Sequence, residues 1–325
     1  MAVTPELRYA VLADWEQLPA DWTHLDCVGV CVDSADNVFL LTRDQPRTIV
    51  YSRDGKLLRS FGEDLFSPRT HGLTVDPDDN VYVVDEGSHC VFKFSPEGEL
   101  LLTIGTPGTA SETGYDGTLA SVKGGPPFNR PTNLAVAPNG DLYISDGYGN
   151  CKVHRFTSDG ELIESWGEPG TGEGQFNLPH GIAIDAAGNV LIADRENDRV
   201  QVFDSSGRFL DVWEDVQRPT NFAIDPEGRI YVAELWWQPG DVSLTGGKIP
   251  DDRPGRVSVF DAERRLLARW GGPDRTAWGN FVAPHDIAVD SRGDIYVAEV
   301  TNTIGVRRGL VPDDTHTFQK FERRS

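Results

Sequence analysis

The sequence predicts an all-β chain folded as a six-bladed β-propeller, and three observations carry that prediction. One phrase recurs six times: an apolar strand, an Asp-rich turn ending in Gly or Asn, and a second apolar strand ending in an acid or a polar residue. Turn signals return so regularly that each unit of about 40 residues holds four short strands. One strand is spare at the N-terminus, and the last unit lacks its fourth. Residues 1–325 are expected to form one propeller domain.

The opening strands read Val28-Gly-Val-Cys-Val-Asp33, His71-Gly-Leu-Thr-Val-Asp76, Thr132-Asn-Leu-Ala-Val-Ala137, His180-Gly-Ile-Ala-Ile-Asp185, Thr220-Asn-Phe-Ala-Ile-Asp225 and His285-Asp-Ile-Ala-Val-Asp290. Tight turns follow, such as Pro138-Asn-Gly-Asp141, whose Gly or Asn supplies positive φ. Second strands such as Val81-Tyr-Val-Val-Asp85 and Ile295-Tyr-Val-Ala-Glu299 come next, then third strands such as Val200-Gln-Val-Phe203. Fourth strands close five units, at 57–62, 100–105, 162–167, 209–214 and 266–271. The sixth unit ends with a strand over 317–323. Arg8–Ala13 can supply its missing partner, which closes the ring and removes an exposed edge. Insertions at 106–129 and 236–254 lengthen two units; they are either rims around a site or plain surface excursions.

Composition excludes some functions. Thirty Lys and Arg against 51 Asp and Glu give a net charge of −21, so no basic stripe is available for a nucleic-acid backbone. No run approaches the ~18 apolar residues of a membrane helix. Met1–Pro19 lacks the basic and apolar regions of a secretory signal, so a cytoplasmic location is expected. The cysteines Cys27, Cys31, Cys90 and Cys151 form no C-x-x-C pair and are expected to be free, packed thiols.

The residues that open the six phrases are Val28, His71, Thr132, His180, Thr220 and His285. Histidine falls on alternate units, and alternate blades of a six-fold ring are ~120° apart, so three imidazoles converge on one axis as a metal with an open position requires. The other four histidines, His24, His89, His154 and His316, lie outside this register and are read as surface or hydrogen-bonding residues. Because adjacent strands are antiparallel, residues just past the second strands ring the same mouth. They are Arg43, Glu86, Tyr148, Arg195, Leu235 and Val300. Arginine can hold an anion there and tyrosine can exchange a proton.

Across nearly its whole length the chain resembles the NHL-repeat propellers, and among them peptidyl-α-hydroxyglycine α-amidating lyase. The resemblance is strongest in Ser145-Asp-Gly-Tyr-Gly-Asn150, Leu178-Pro-His-Gly-Ile182, Ala193-Asp-Arg-Glu-Asn197 and Ala283-Pro-His-Asp-Ile287. It implies catalytic zinc (Zn2+) on His71, His180 and His285, a catalytic Tyr148, and active-site arginines at Arg43 and Arg195. It also implies a structural calcium (Ca2+) in the channel, on Asp286 and the backbone carbonyls of Val30 and Leu73. The pattern departs at Ala283, where the lyases have methionine, and at Gly149 and Cys151, where their disulfide is not reproduced. Leu235-Trp-Trp-Gln-Pro239 has no counterpart.

The resemblance implies a lyase that splits an α-hydroxyglycine-type carbinolamide into an amide and a glyoxylate-like aldehyde. The substrate is expected to be a small molecule or short peptide bearing a carboxylate, with no nucleic acid or membrane as partner. Two alternatives stand beside it: hydrolysis of a lactone or ester on the same metal, and a non-catalytic binding scaffold.

Overall fold

The fold is seen in a computed structural model, which describes residues 7–45, 47–243 and 247–324. Six four-stranded antiparallel sheets stand round a central axis. The first blade runs Cys27–Val32, Val38–Thr42, Arg47–Tyr51 and Leu57–Phe61 from axis to rim, and the second Thr70–Val75, Val81–Asp85, Cys90–Phe94 and Leu100–Ile104. The third is Pro131–Val136, Leu142–Asp146, Lys152–Phe156 and Leu162–Trp166; the fourth is Pro179–Ile184, Val190–Asp194, Arg199–Phe203 and Phe209–Trp213. The fifth is Pro219–Ile224, Ile230–Glu234, Arg256–Phe260 and Leu266–Trp270. In the sixth, Pro284–Val289, Ile295–Glu299 and Phe318–Arg324 are completed by Arg8–Leu12, which pairs with the C-terminal strand from Arg8↔Arg324 to Leu12↔Lys320. Both chain ends therefore share one sheet, as the spare and missing strands predict.

Side chains alternate across each strand, so both faces of a blade are apolar and the core lies between blades. Tyr82, Val84 and Val91 of the second blade meet Leu134, Leu142 and Ile144 of the third. Five similar clusters fill the other gaps. The aspartate after an inner strand holds its turn: Asp185 Oδ1 accepts from the backbone N–H groups of Ala187 and Asn189, and Asp33 does the same for Ala35 and Asn37.

The acids that end the second strands, Asp85, Asp146, Asp194, Glu234 and Glu299, are fully buried. Each accepts a backbone N–H from the loop that enters its own blade, from Ser67, Asn129, Asn177, Gln217 and Val282 in turn. A repeated acid that reads like a surface charge is thus the clamp for the loop leading to the mouth. No helix among the described residues is long and apolar enough to cross a membrane.

Candidate metal centre

The first and second strands of every blade lose register at the residue that opens the repeated phrase. In the second blade Thr70 faces Asp85 and Gly72 faces Val84, which leaves His71 as the extra residue. His180 lies in the same irregularity between Pro179 and Ile182, and His285 lies between Pro284 and Asp286. A bulge at this place takes one residue out of the ladder and re-aims its side chain. Three such bulges turn three imidazoles toward the axis.

The rings form a pinwheel, with centroids 4.5 Å apart for His71 and His285, 4.7 Å for His71 and His180, and 4.9 Å for His180 and His285. One ligand nitrogen from each lies within 4.8 Å of the other two. His71 Nδ1 donates to Thr132 O, His180 Nδ1 to Thr220 O and His285 Nδ1 to Val28 O, each at 2.7 Å. Val28, Thr132 and Thr220 are the phrase-opening residues of the intervening blades, so every blade contributes either an imidazole or the carbonyl that orients one. A carbonyl only accepts, so the proton sits on Nδ1 and the Nε2 lone pair faces its neighbours.

All three histidines are buried, and burial holds each below its ordinary pKa. The neighbouring imidazoles and Arg43 add to the effect at His71, Arg195 adds to it at His180, and His285 is pushed down to about 3, with Arg43 contributing. The trio is therefore neutral at physiological pH, the state a metal requires. Close approach of the inner strands makes this possible. A Cβ on Gly72 would lie 2.6 Å from Thr132 O, and one on Gly181 would lie 2.4 Å from Thr220 O. These are the two carbonyls that orient His71 and His180.

Tyr148 Oη stands 3.3 Å from Nε2 of both His71 and His180 and accepts a hydrogen bond from Arg195 Nη1 at 3.0 Å. The guanidinium carbons of Arg195 and Arg130 each lie 5.4 Å from the centre of the Tyr148 ring. Arg43 donates from Nε to Thr70 O at 3.3 Å, while its Nη atoms reach carboxylates only at 3.5 Å (Asp26) and 4.0 Å (Glu86). Tyr148, Arg195 and Arg43 thus share the mouth with the histidines. Of the remaining ring, Glu86 is fully buried among arginines, whereas Leu235 and Val300 join Trp236 and Ala283 in an apolar cluster.

Sequence reasoning missed Arg69, Arg130 and Arg218, which stand two residues before the phrase-opening positions of the second, third and fifth blades. Aligning the blades on the histidine register would have found them. It also missed Tyr115 and Glu196, which bind two of these arginines. Both insertions pack at this mouth. The first brings Tyr115 to Arg130 and Thr113 to Gly149, the residue after Tyr148. The second donates to Asp198 from Trp237 Nε1 and Ser243 Oγ, each at 3.0 Å, and sets the Trp237 ring 4.4 Å from the Arg218 guanidinium carbon.

Asp286, Val30 and Leu73 line a cavity of about 330 Å³ in the central channel. Asp286 accepts from Val30 N, Ile287 N and Asn221 Nδ2, and burial pushes its carboxyl up to about 7. Of the remaining histidines, His24 and His154 are buried rather than on the surface, beside Glu16 and Asp146; the His316 residue is partly exposed with its side chain tucked against Glu299, and His89 is half-buried and accepts from Arg130 N. The four cysteines are free and buried.

The NHL repeat family matches residues 71–94, 128–156 and 176–203, within the second to fourth blades. Human NHL repeat-containing protein 3 is 30% identical over 309 residues, covering 91% of this chain and 83% of that protein. Peptidyl-α-hydroxyglycine α-amidating lyase 1 of Drosophila melanogaster is 32% identical over 194 residues, 53% of this chain and 34% of the fly protein. Among solved structures, a streptogramin B lyase superposes with a TM-score of 0.60 at 12% identity over 98% of this chain and 97% of its own. The chain belongs to the NHL-repeat family that includes NHL repeat-containing protein 3.

Proposed function

We propose that the protein is a metal-dependent carbon–nitrogen lyase acting on an α-hydroxyglycine-type carbinolamide. The observation that carries this reading is the meeting of three oriented, neutral imidazoles with a tyrosine oxygen 3.3 Å from two of them. The fly relative's name, an α-amidating lyase for peptidyl-α-hydroxyglycine, supplies the reaction class. A buried set of three nitrogens fits zinc, with His71, His180 and His285 as its holders. Bound there, the ion would supply the Lewis acidity that makes a substrate hydroxyl more acidic.

The chain's own groups do the rest. Tyr148 acts as a phenolate, whose negative charge the Arg195 hydrogen bond at 3.0 Å stabilises; its Oη takes the hydroxyl proton and becomes a neutral phenol. The C–O bond becomes a carbonyl as the C–N bond breaks. Tyr148 then returns its proton to the departing amide nitrogen. The products are a primary amide and a glyoxylate-like aldehyde, with no water consumed. Arg43, whose Nη atoms reach carboxylates only at 3.5 Å and 4.0 Å, holds the substrate carboxylate together with Arg195. A structural calcium on Asp286, Val30 and Leu73 would balance the buried carboxyl in the channel.

The test uses untagged protein, with metal counted per chain, and an N-acyl-α-hydroxyglycine as substrate. Release of the primary amide with glyoxylate, lost on chelation and regained with zinc, is the expected result. Release of the carboxylic acid instead would convert the reading to hydrolysis, and metal-free protein with no affinity for zinc would end it.

A further inference from the structure

Two arginine pairs flank Tyr148, and each pair shares one glutamate. Arg195 and Arg218 both bind Glu196 Oε1 at 2.8 Å. Arg69 and Arg130 both bind Glu86 Oε1, Arg69 through Nη2 at 2.7 Å. Glu86 is fully buried, and Arg43 stands 4.0 Å from it as well. Even with Arg43 assigned to Asp26, Arg69 and Arg130 divide a single negative charge. The Arg69–Arg130 side of the tyrosine therefore keeps one positive charge beyond its carboxylate, in a chain whose net charge is −21, whereas on the other side Asp198, bound to the Arg218 backbone N–H at 2.8 Å, lies close to the second pair.

Three of the four guanidinium groups are largely shielded from solvent. Arg130 is about a fifth exposed, and both Tyr148 and the insertion's Tyr115 hold its guanidinium against a ring face, each at 5.4 Å. On the other side Arg218 Nε is buried without a hydrogen-bond partner. Arg69 is half-exposed and binds Glu86 through Nε and Nη2. An excess cation in a recess of low polarity attracts a counter-anion more strongly than one on open surface.

We propose that the substrate is a dianion: beyond the carboxylate held by Arg43 and Arg195, its acyl portion carries a second carboxylate that Arg69 and Arg130 bind. This deepens the lyase reading and rests on it for the placement of the first carboxylate. An acidic acyl group fits a small N-acyl compound or a short acidic peptide. A neutral acyl chain would leave the Arg69–Arg130 side with its charge unmatched.

Binding can be measured apart from turnover by titrating zinc-loaded protein with two unreactive glycine conjugates, N-succinylglycine and N-butyrylglycine. They share a four-carbon acyl group and differ in its terminal charge. The proposal expects N-succinylglycine to bind at least ~10-fold tighter at low salt, with the ratio shrinking as salt rises. Arg69→Gln should bring the ratio to within ~3-fold of one, and Arg69→Glu should invert it. Arg69 is half-exposed, so both variants are expected to fold. Equal affinities in the parent protein, or a preference that survives Arg69→Glu, would overturn the proposal while leaving the lyase reading intact. A preference for the dianion without any amide release would do the reverse.

Discussion

Each mouth histidine has two nitrogens with separate duties: Nδ1 fixes the ring through a carbonyl of the next blade, and Nε2 offers a lone pair to a metal. Removing one imidazole therefore deletes a ligand and leaves a carbonyl unpaired. His180→Ala should weaken zinc binding by more than the ~10–100-fold typical of losing an outer-shell partner. Competition against a chromogenic chelator measures it, and an unchanged affinity would take His180 out of the metal set. Tyr148 has a different duty. It lies 3.3 Å from Nε2 of His71 and His180 but reaches them through a phenol oxygen that Arg195 also binds. Tyr148→Phe should keep zinc bound and lower kcat by ~10²–10⁴-fold, the range for loss of a proton-transfer group. Full turnover in the zinc-loaded variant would show that the proton goes elsewhere.

At the scale of strands, the bulge and the glycine after the histidine act together. Gly72 and Gly181 let the neighbouring inner strand come close enough for its carbonyl to meet Nδ1. Gly181→Ala would force a Cβ to within 2.4 Å of the Thr220 carbonyl, so the two strands must separate. The expected cost is ~1–3 kcal/mol of stability, as for other overpacked sites, together with weaker zinc binding because His180 loses its brace. Thermal melts and chelator competition on the same sample would check both; a loss of stability with zinc affinity unchanged would separate the brace from the metal. The histidine register was legible in the sequence because it rides on a strict strand-and-turn repeat. Arg69, Arg130 and Arg218 were not, because they sit in the loops between blades, where no periodicity marks a position. Their shared offset from the register was the available signal. The burial of Asp85 and its equivalents was also hidden, since a strand-ending acid reads the same whether it faces water or clamps a loop.

The whole ring must close for the trio to meet, because His285 belongs to the blade that joins the chain's two ends. That trio also sets how the metal-free protein responds to acid. In the unfolded chain each imidazole takes a proton near its ordinary pKa of ~6.5, whereas burial keeps the folded ones neutral, His285 down to about 3 and the other two well below their ordinary value. Between those limits the unfolded state binds more protons, so the trio's contribution to stability is present above pH ~6.5 and is lost as pH falls. Each histidine removes up to ~1.4 kcal/mol per pH unit. His24 and His316 act in another window. Burial lowers them, but Cys27 and Glu16 around His24, and Glu299 beside His316, outweigh it and raise both, so their contribution is complete below pH ~6.5 and does not mask the trio. Asp286 and Asp194, whose carboxyls burial pushes up to about 7 and about 6, gain stability as pH falls through the same window, so what the trio adds to chelated protein is a steeper fall in melting temperature from pH 6.5 to 5 than the chain shows without it. A variant with all three histidines changed to glutamine should lose that steepness, and zinc should delay the drop in the parent by holding the neutral form. Parallel slopes in parent and triple variant would mean that the three rings are hydrated or charged in the folded protein, and the metal centre would have to be redrawn.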